Sequence, residues 1–478
     1  MTTDGLLAPA HSGRWPGDAL SRCAYPGRAL LAAVSLAGLT AGSFLIVLMA
    51  AERPSTFTPT SADGYFPAWM AGPLRGLLPG LTRNENRLAW LLSGAMLAMY
   101  VLYVLAFAFA ERLRARWTVA ALLAIHLAFL LAPPLQYTDV FNYIHYGRMG
   151  VLSGLNPYTA IPALTPRSDP SFALSNWHHL LSPYGPAFTL FTYALVPLGV
   201  AGSLWAIKLT VALASLGTLA LVWRCAGLVG RSPVSAVAFV GFNPIVLVWG
   251  LGADHNDGLM LFFVILAVCL CLRSPAMASA AGAALVLAVS IKASAAVLLA
   301  LFLASGHRRD LICGGLAAAI VLGAASVVAF GFHTPDLSTQ SRLVTAIGLP
   351  NLLGLALGQG GETPALHLAI EVALLGIVVG CTAAVARGRL NWLTAAALVL
   401  AALTVSLSWS VPWYLLWVLP FAALSPAGRM RKAVVVLGAY FLIAFMPAAY
   451  LLGRDIGFAP QSTHLGAVHR RQVEALLH

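Results

Sequence analysis

Charge is what this chain has least of. Asp, Glu, Lys and Arg make up 9% of its 478 residues, against about 25% in soluble globular domains. A water-facing surface cannot be covered at that density, which excludes a soluble enzyme or binding domain. Cysteine is scarce as well. The six residues Cys23, Cys225, Cys269, Cys271, Cys313 and Cys381 lie mostly inside apolar runs, without a Cys-x-x-Cys pair or Cys/His ligand spacing. That pattern gives neither a disulfide framework nor a zinc motif. A phosphate-binding Gly-rich loop, HExxH and a GxSxG in its proper context are missing too. No cofactor and no metal is expected.

What is there is apolar. Hydrophobic residues make up 60% of the chain, with a mean hydropathy of +0.84. The fold class expected is all-α: a polytopic membrane protein with about 13 transmembrane helices joined by extracytoplasmic and cytoplasmic loops. The net charge of +12 does not point to nucleic acid. The arginines stand in short clusters between apolar runs, the pattern of cytoplasmic loops rather than of a basic binding face.

Candidate spans are 29–51, 88–110, 117–133, 205–224, 233–251, 258–272, 276–291, 293–306, 311–331, 364–386, 392–408, 412–424 and 433–452. The first is too long for a signal-peptide core and is expected to stay as a helix. If the N-terminus is cytoplasmic, the loops ERLRAR (111–116), HRRD (307–310), RGRLN (387–391) and SPAGRMRK (425–432) fall inside, each with arginine. The alternation holds only if 186–201 and 343–358, short and broken by Pro or Gly, are re-entrant or lie on the membrane surface. The expected organisation is a tail and two helices in 1–116, a catalytic membrane module in 117–452 with an outer loop at 134–204, and a C-terminal tail at 453–478. No soluble domain is expected at either end.

This orientation places Asp139, the Asp254-His255-Asn256-Asp257 cluster, Lys292, His333, Asp336, Arg342, Trp409 and Tyr414 on one outer face, with Lys208 one turn inside it. Ionisable groups beside a membrane are costly and tend to be functional. A transport path would instead spread them through the bilayer's depth. Thr138 can cap a helix on which Asp139, Asn142, Tyr143 and Tyr146 share a face. The helix dipole would keep Asp139 ionised and ready to accept a proton. The plainer reading of Asp139 is a second capping carboxylate. Trp177-His178-His179, Tyr184 in SPYGP and Trp413-Tyr414 suit sugar rings or, equally, the membrane interface. Asn156-Pro157-Tyr158 reads as a structural turn. Lys292, in SIKAS between two spans, is a compact charge suited to phosphate, with Arg342, Lys208 and Arg148 behind it. Glu371, one turn after His367 inside an expected span, fits either an internal pair or a proton path.

The order of motifs is more specific than any one of them. D-x-x-x-Y-x-x-Y-G-R (Asp139 to Arg148) precedes N-P-Y and S-P-Y-G-P. Then come N-P, H-N-D-G-L-M-L from His255, the lone Lys292 and P-W-Y-L-L-W-x-L-P from Pro412. This series resembles the actinobacterial polyprenol-phosphate-mannose-dependent α-1,6-mannosyltransferases of the GT-C membrane glycosyltransferase superfamily, over roughly Tyr137 to Pro420. The resemblance implies a plasma-membrane enzyme with an extracytoplasmic site, a polyprenyl-phosphate sugar donor, a lipid-linked glycan acceptor and inversion at the sugar. It also puts the catalytic Asp in the first large outer loop after a span, a position that Asp139 matches. A phosphate leaves without protonation, so a single base suffices where a glycosidase uses two carboxyls. Rival expectations are another lipid-linked sugar on the same fold and a transporter or lipid flippase. For the flippase His367 and Glu371 are the best evidence.

Overall fold

The computed structural model describes residues 26–52, 68–78, 85–135 and 139–477. Among them every regular element is helical. In chain order the helices are α1 (Pro26–Glu52), α2 (Glu85–Ala108), α3 (Ala115–Leu131), α4 (Asp139–Ser153), α5 (Pro186–Leu195), α6 (Gly199–Leu228), α7 (Pro233–Gly241), α8 (Asp257–Arg273) and α9 (Ala278–Ile291). They continue with α10 (Leu299–Ser305), α11 (Arg308–Phe330), α12 (Leu349–Ala356), α13 (Pro364–Ala386), α14 (Trp392–Ser406), α15 (Leu415–Leu424), α16 (Gly428–Phe445), α17 (Pro447–Asp455) and α18 (His464–Leu477).

Every expected span is helical, but most are shorter than a bilayer. Among the described residues five helical stretches are long and apolar enough to cross: Gly27–Glu52, Asn86–Ala108, Pro186–Leu228, Arg308–Phe330 and Pro364–Ala386. The pair α16 and α17, bent by 64°, would make a sixth. The others stop early for local reasons. Asn243-Pro244 ends α7, because proline offers no backbone donor. The chain turns out of the helix at Lys292 after α9 and at Leu407 after α14. A helix rises about 1.5 Å per residue, so 10–17 residues give roughly 15–26 Å against a core of about 30 Å. The segment expected to be re-entrant at 186–201 is the ten-residue α5, then a tight turn at Val196–Leu198 and Gly199 at φ 69°. The segment at 343–358 holds the eight-residue α12.

The long helices carry the signature of lipid contact. Val328 is 88% exposed, Ile320 70% and Leu375 63%. Exposed apolar surface on that scale is tolerated where hydrocarbon is the solvent. The interior is close-packed around Trp249, Phe239, Phe302 and Phe421. Helices α9 and α11 meet through glycine: a Cβ on Gly282 would run into the Leu311 carbonyl, and one on Gly314 into the Ser279 carbonyl. Small residues let backbones approach this closely in membranes.

The amphipathic α18 lies back across the loops that hold His179 and Gly360. The backbone N–H of His179 donates to the Leu476 carbonyl at 3.0 Å, and Thr463 Oγ1 donates to the Gly360 carbonyl at 2.6 Å. Replacing Gly314 by Leu should force α9 and α11 apart at a cost of about 1–3 kcal/mol. A lowered melting temperature in detergent is the measurement, with Gly323→Leu, which meets open space, as the unaffected control.

Candidate active site

The site is assembled where α4, α8, α9 and α15 end or begin. Asp139 opens α4. The Thr138 cap expected before it lies outside the described residues. The face predicted for α4 exists and turns inward: Asn142, Tyr143 and Tyr146 are all buried. Asn142 fixes the returning loop, its Oδ1 accepting from the backbone of Asn176 at 3.0 Å and Trp177 at 3.2 Å. Tyr146 donates to the Leu180 carbonyl at 2.6 Å. Tyr143 packs edge-on to Tyr184 and Phe188, centroids 4.7 and 4.9 Å apart.

Asp139 is one hub. Tyr184 donates to its Oδ1 at 3.4 Å, and His255 Nδ1 stands 3.6 Å from its Oδ2. The side chain keeps 18% exposure. Burial pushes its pKa up to about 6; nearby Lys292 lowers it, Asp257 raises it and the Tyr184 hydrogen bond lowers it. The carboxyl is therefore a stronger base than an exposed aspartate, and still ionised at neutral pH. Burial, then Lys292, holds His255 well below the usual imidazole range. The imidazole is neutral, so its approach to Asp139 is not an ion pair. It is stacked on Trp413 at 3.8 Å and 15°.

Asp257 is the other hub. It opens α8, fully buried. Its Oδ2 accepts from Lys292 Nζ at 2.7 Å and its Oδ1 from Trp417 Nε1 at 2.7 Å. Lys292 also faces the rings of Tyr414 and Trp417 at 5.2 and 5.7 Å, which themselves stack at 4.2 Å. The turn between the hubs is strained. Val246–Leu251 is a π-helical stretch, and Asp254 adopts φ 57°, a conformation few non-glycine residues take. Asp254 is pinned beneath by Lys208 of α6 at 3.4 Å, the lysine also donating to the Phe129 carbonyl at 3.1 Å. The Asn256 N–H donates to Tyr143 Oη at 3.4 Å, while its buried amide makes no hydrogen bond among the described residues. Tyr184 is set against Lys292 by its neighbour: the Gly185 N–H donates to the Ile291 carbonyl at 3.1 Å. A Cβ on Gly185 would collide with the Ser290 carbonyl.

Asp139, Tyr143, Tyr184, His255, Asp257, Lys292, Trp413 and Tyr414 thus come together from five distant stretches. Arg148 and Arg342 are placed elsewhere. Arg148 forks onto Asp169, with Nε 2.9 Å from Oδ1 and the terminal nitrogen 2.9 Å from Oδ2. Asp169 also accepts from the Ser171 backbone and hydroxyl. Burial alone would raise the Asp169 carboxyl, but Arg148 and Ser171 bring it below its ordinary range. His145 completes this loop skeleton through Ser171 and Thr165. Arg342 is exposed, and the carboxylate whose charge it modifies is Asp336. Glu371, unplaced by sequence, pairs with His367 at 3.1 Å. His367 also meets the buried Glu362 at 2.9 Å and Ser408 at 2.9 Å. This is a local network at the head of α13. Sequence reasoning missed Trp417, although it stands four residues after Trp413, which lies in the 3-10 turn Pro412–Tyr414 leading into α15.

Asp257 is buried and depends on Lys292 for its charge balance, and breaking such a pair from one side costs about 3–5 kcal/mol. Lys292→Met alone should therefore destabilise by that order. The double variant Asp257→Asn/Lys292→Met should recover much of the loss. A thermal or denaturant double-mutant cycle reads the difference.

Comparison with known proteins follows the same residues. The family described as "Alpha-(1->6)-mannopyranosyltransferase, N-terminal domain" matches residues 37–305. The chain is 28% identical over 368 residues to "Alpha-(1->6)-mannopyranosyltransferase A" of Mycobacterium tuberculosis, covering 69% of this chain and 70% of that one. It is 27% identical over 365 residues to a "Probable alpha-(1->6)-mannopyranosyltransferase" of Mycolicibacterium smegmatis, covering 64% and 65%. It is 24% identical over 372 residues to "Alpha-(1->6)-mannopyranosyltransferase B" of Corynebacterium glutamicum, covering 68% and 61%. The chain thus spans about two thirds of the length of these relatives, and slightly less for the last two. No solved structure matches. The family match takes in more than half of the chain and contains Asp139, the 254–257 turn and Lys292, and the chain belongs to the alpha-(1->6)-mannopyranosyltransferase family.

Proposed function

We propose that this protein is an inverting membrane glycosyltransferase. It moves a mannosyl unit from a polyprenyl-phosphate donor to a hydroxyl of a lipid-linked glycan, as in an α-1,6-mannan. The reaction takes place at the extracytoplasmic face of the plasma membrane. The observation that carries the reading is Asp139: a part-exposed carboxyl with its pKa pushed up to about 6, beside a lysine and a wall of aromatic rings. Family membership and the printed activities of the relatives supply the sugar and the linkage.

In this scheme Asp139 accepts the proton of the acceptor hydroxyl as general base. The freed oxygen attacks the anomeric carbon from the side opposite the phosphate. The phosphate departs as an anion and meets Lys292, a part-exposed ammonium fixed in place by its bond to Asp257. Neutral His255, held by Trp413, adds no charge that would lower the basicity of Asp139. Tyr184, Trp413 and Tyr414 present ring faces suited to sugar C–H surfaces. The catalytic module is 117–452, and 1–116 and 453–478 flank it. Arg148 and Arg342 take no part in holding the donor, in keeping with the partners the structure gives them.

Asp139→Asn should lower mannosyl transfer from labelled polyprenyl-phosphate mannose by about 10²–10⁴-fold. Unchanged glycan product in membranes carrying that variant would sink the reading. The pH profile follows from the sign of the shift. Below about pH 6 Asp139 takes up its proton and cannot act as base. Activity should therefore rise through pH 6 and level off above it, rather than near pH 4. Tyr184→Phe removes a hydrogen bond that lowers this pKa, so the acidic limb should move to higher pH in a kcat/KM profile.

A further inference from the structure

A second feature lies at the opposite end of α3. An open groove of about 840 Å³ runs between α1 and α3. One wall is a single face of α1, Ala29, Ala33, Ala37 and Ala41 at four-residue spacing, ending at Phe44. The other is Trp117, Ala121 and Ala124 of α3. Along α1 the groove is roughly 22 Å long at 1.5 Å per residue, about the reach of an acyl chain. Its mouth is basic, for Arg112 and Arg114 line it. Arg116 sits 5.2 Å from the Trp117 ring. Arg114 has no hydrogen bond or ion pair from its side chain among the described residues. Asp139 follows the far end of α3, roughly 26 Å away along the seventeen-residue helix. The groove is therefore no part of the site described above.

We infer that this groove binds an anionic phospholipid, its acyl chain against the alanine face and its phosphate on Arg112 and Arg114. Two arguments select that occupant over a second copy of the chain. The groove walls are apolar and its mouth is cationic, which is the profile of an anionic lipid. In a two-fold dimer within a membrane, equal depths meet, so the arginines of one copy would face those of the other. Basic pockets between membrane helices recognise acidic headgroups by this charge pattern.

The test uses the full chain in nanodiscs of phosphatidylcholine, with phosphatidylglycerol titrated in. Melting temperature and the lipid retained on extraction are both read. Phosphatidylglycerol should raise the melting temperature of the wild type and be enriched in its extract. Each arginine near the surface contributes about fivefold in affinity, so Arg114→Gln should weaken binding roughly fivefold and Arg112→Gln/Arg114→Gln at least as much. Ala37→Leu keeps the charge but fills the groove, and should also lose the enrichment. Three results would overturn the inference. One is equal behaviour of the wild type in the two lipids. Another is an undiminished shift in the double arginine variant. The third is an Ala37→Cys chain that crosslinks predominantly to a second copy in phosphatidylcholine discs. Inorganic phosphate added without acidic lipid should give no shift; a shift of the same size would replace the lipid site by a bare anion site.

Discussion

The buried carboxylate of Asp257 is the constraint on which the site depends. A fully buried charge survives only with its hydrogen-bonding capacity filled and an opposite charge beside it. Asp257 obtains both, from Trp417 Nε1 and Lys292 Nζ, each at 2.7 Å. The three residues belong to the start of α8, the exit from α9 and the body of α15. One electrostatic requirement therefore fixes three helix ends relative to one another. The chain holds only three lysines, Lys208, Lys292 and Lys432. Two of them are spent on the two carboxylates of one short turn.

Around that fixed point the chemistry becomes possible. With Lys292 held by Asp257 and flanked by Tyr414 and Trp417, its charge has a fixed address. Asp139 is close enough to feel both residues, yet is bonded directly to neither. Its neighbours are a tyrosine hydroxyl and a neutral imidazole, both at long range. A carboxyl left loosely held and partly exposed is free to take a proton. The strained turn at Asp254 and the loop skeleton of Arg148, Asp169 and His145 rigidify the surroundings and leave that carboxyl open. The division is between groups locked together by short hydrogen bonds and one carboxyl left loosely held.

The secondary structure could be read from the sequence because it rests on local rules. Apolar runs between arginine clusters gave the apolar helices between 205 and 452, whereas Ser338–Ser341 and α12 lie outside the expected spans. Proline and glycine marked breaks at 186–201 and 343–358: a tight turn at Val196–Leu198 separates α5 from α6 within the apolar stretch Pro186–Leu228, and 343–358 holds the eight-residue α12. The conclusion of about thirteen crossings went further than length allows, since hydropathy marks burial in helices of 10–17 residues as readily as it marks a span. In the site, Asp139, the 254–257 turn and Lys292 stood out because polar residues are rare against so apolar a background. Arg148 stood out for the same reason, and its carboxylate partner, Asp169, lies 21 residues away in the chain, where no local rule points to it.

By itself the sequence determined a membrane-embedded helical chain, the series of motifs and the small set of polar residues worth attention. Composition, hydropathy and motif order act at short range, and no long-range contact can change them. Only the tertiary structure decided which of those residues meet. It joined Lys292 to Asp257 and Lys208 to Asp254, withdrew Arg148 and Arg342 from the centre, brought in Trp417 and left the Asp139 carboxyl part-exposed with a raised pKa. Those outcomes depend on which helix ends are neighbours, and that is set by packing the whole bundle around charges that cannot be buried alone.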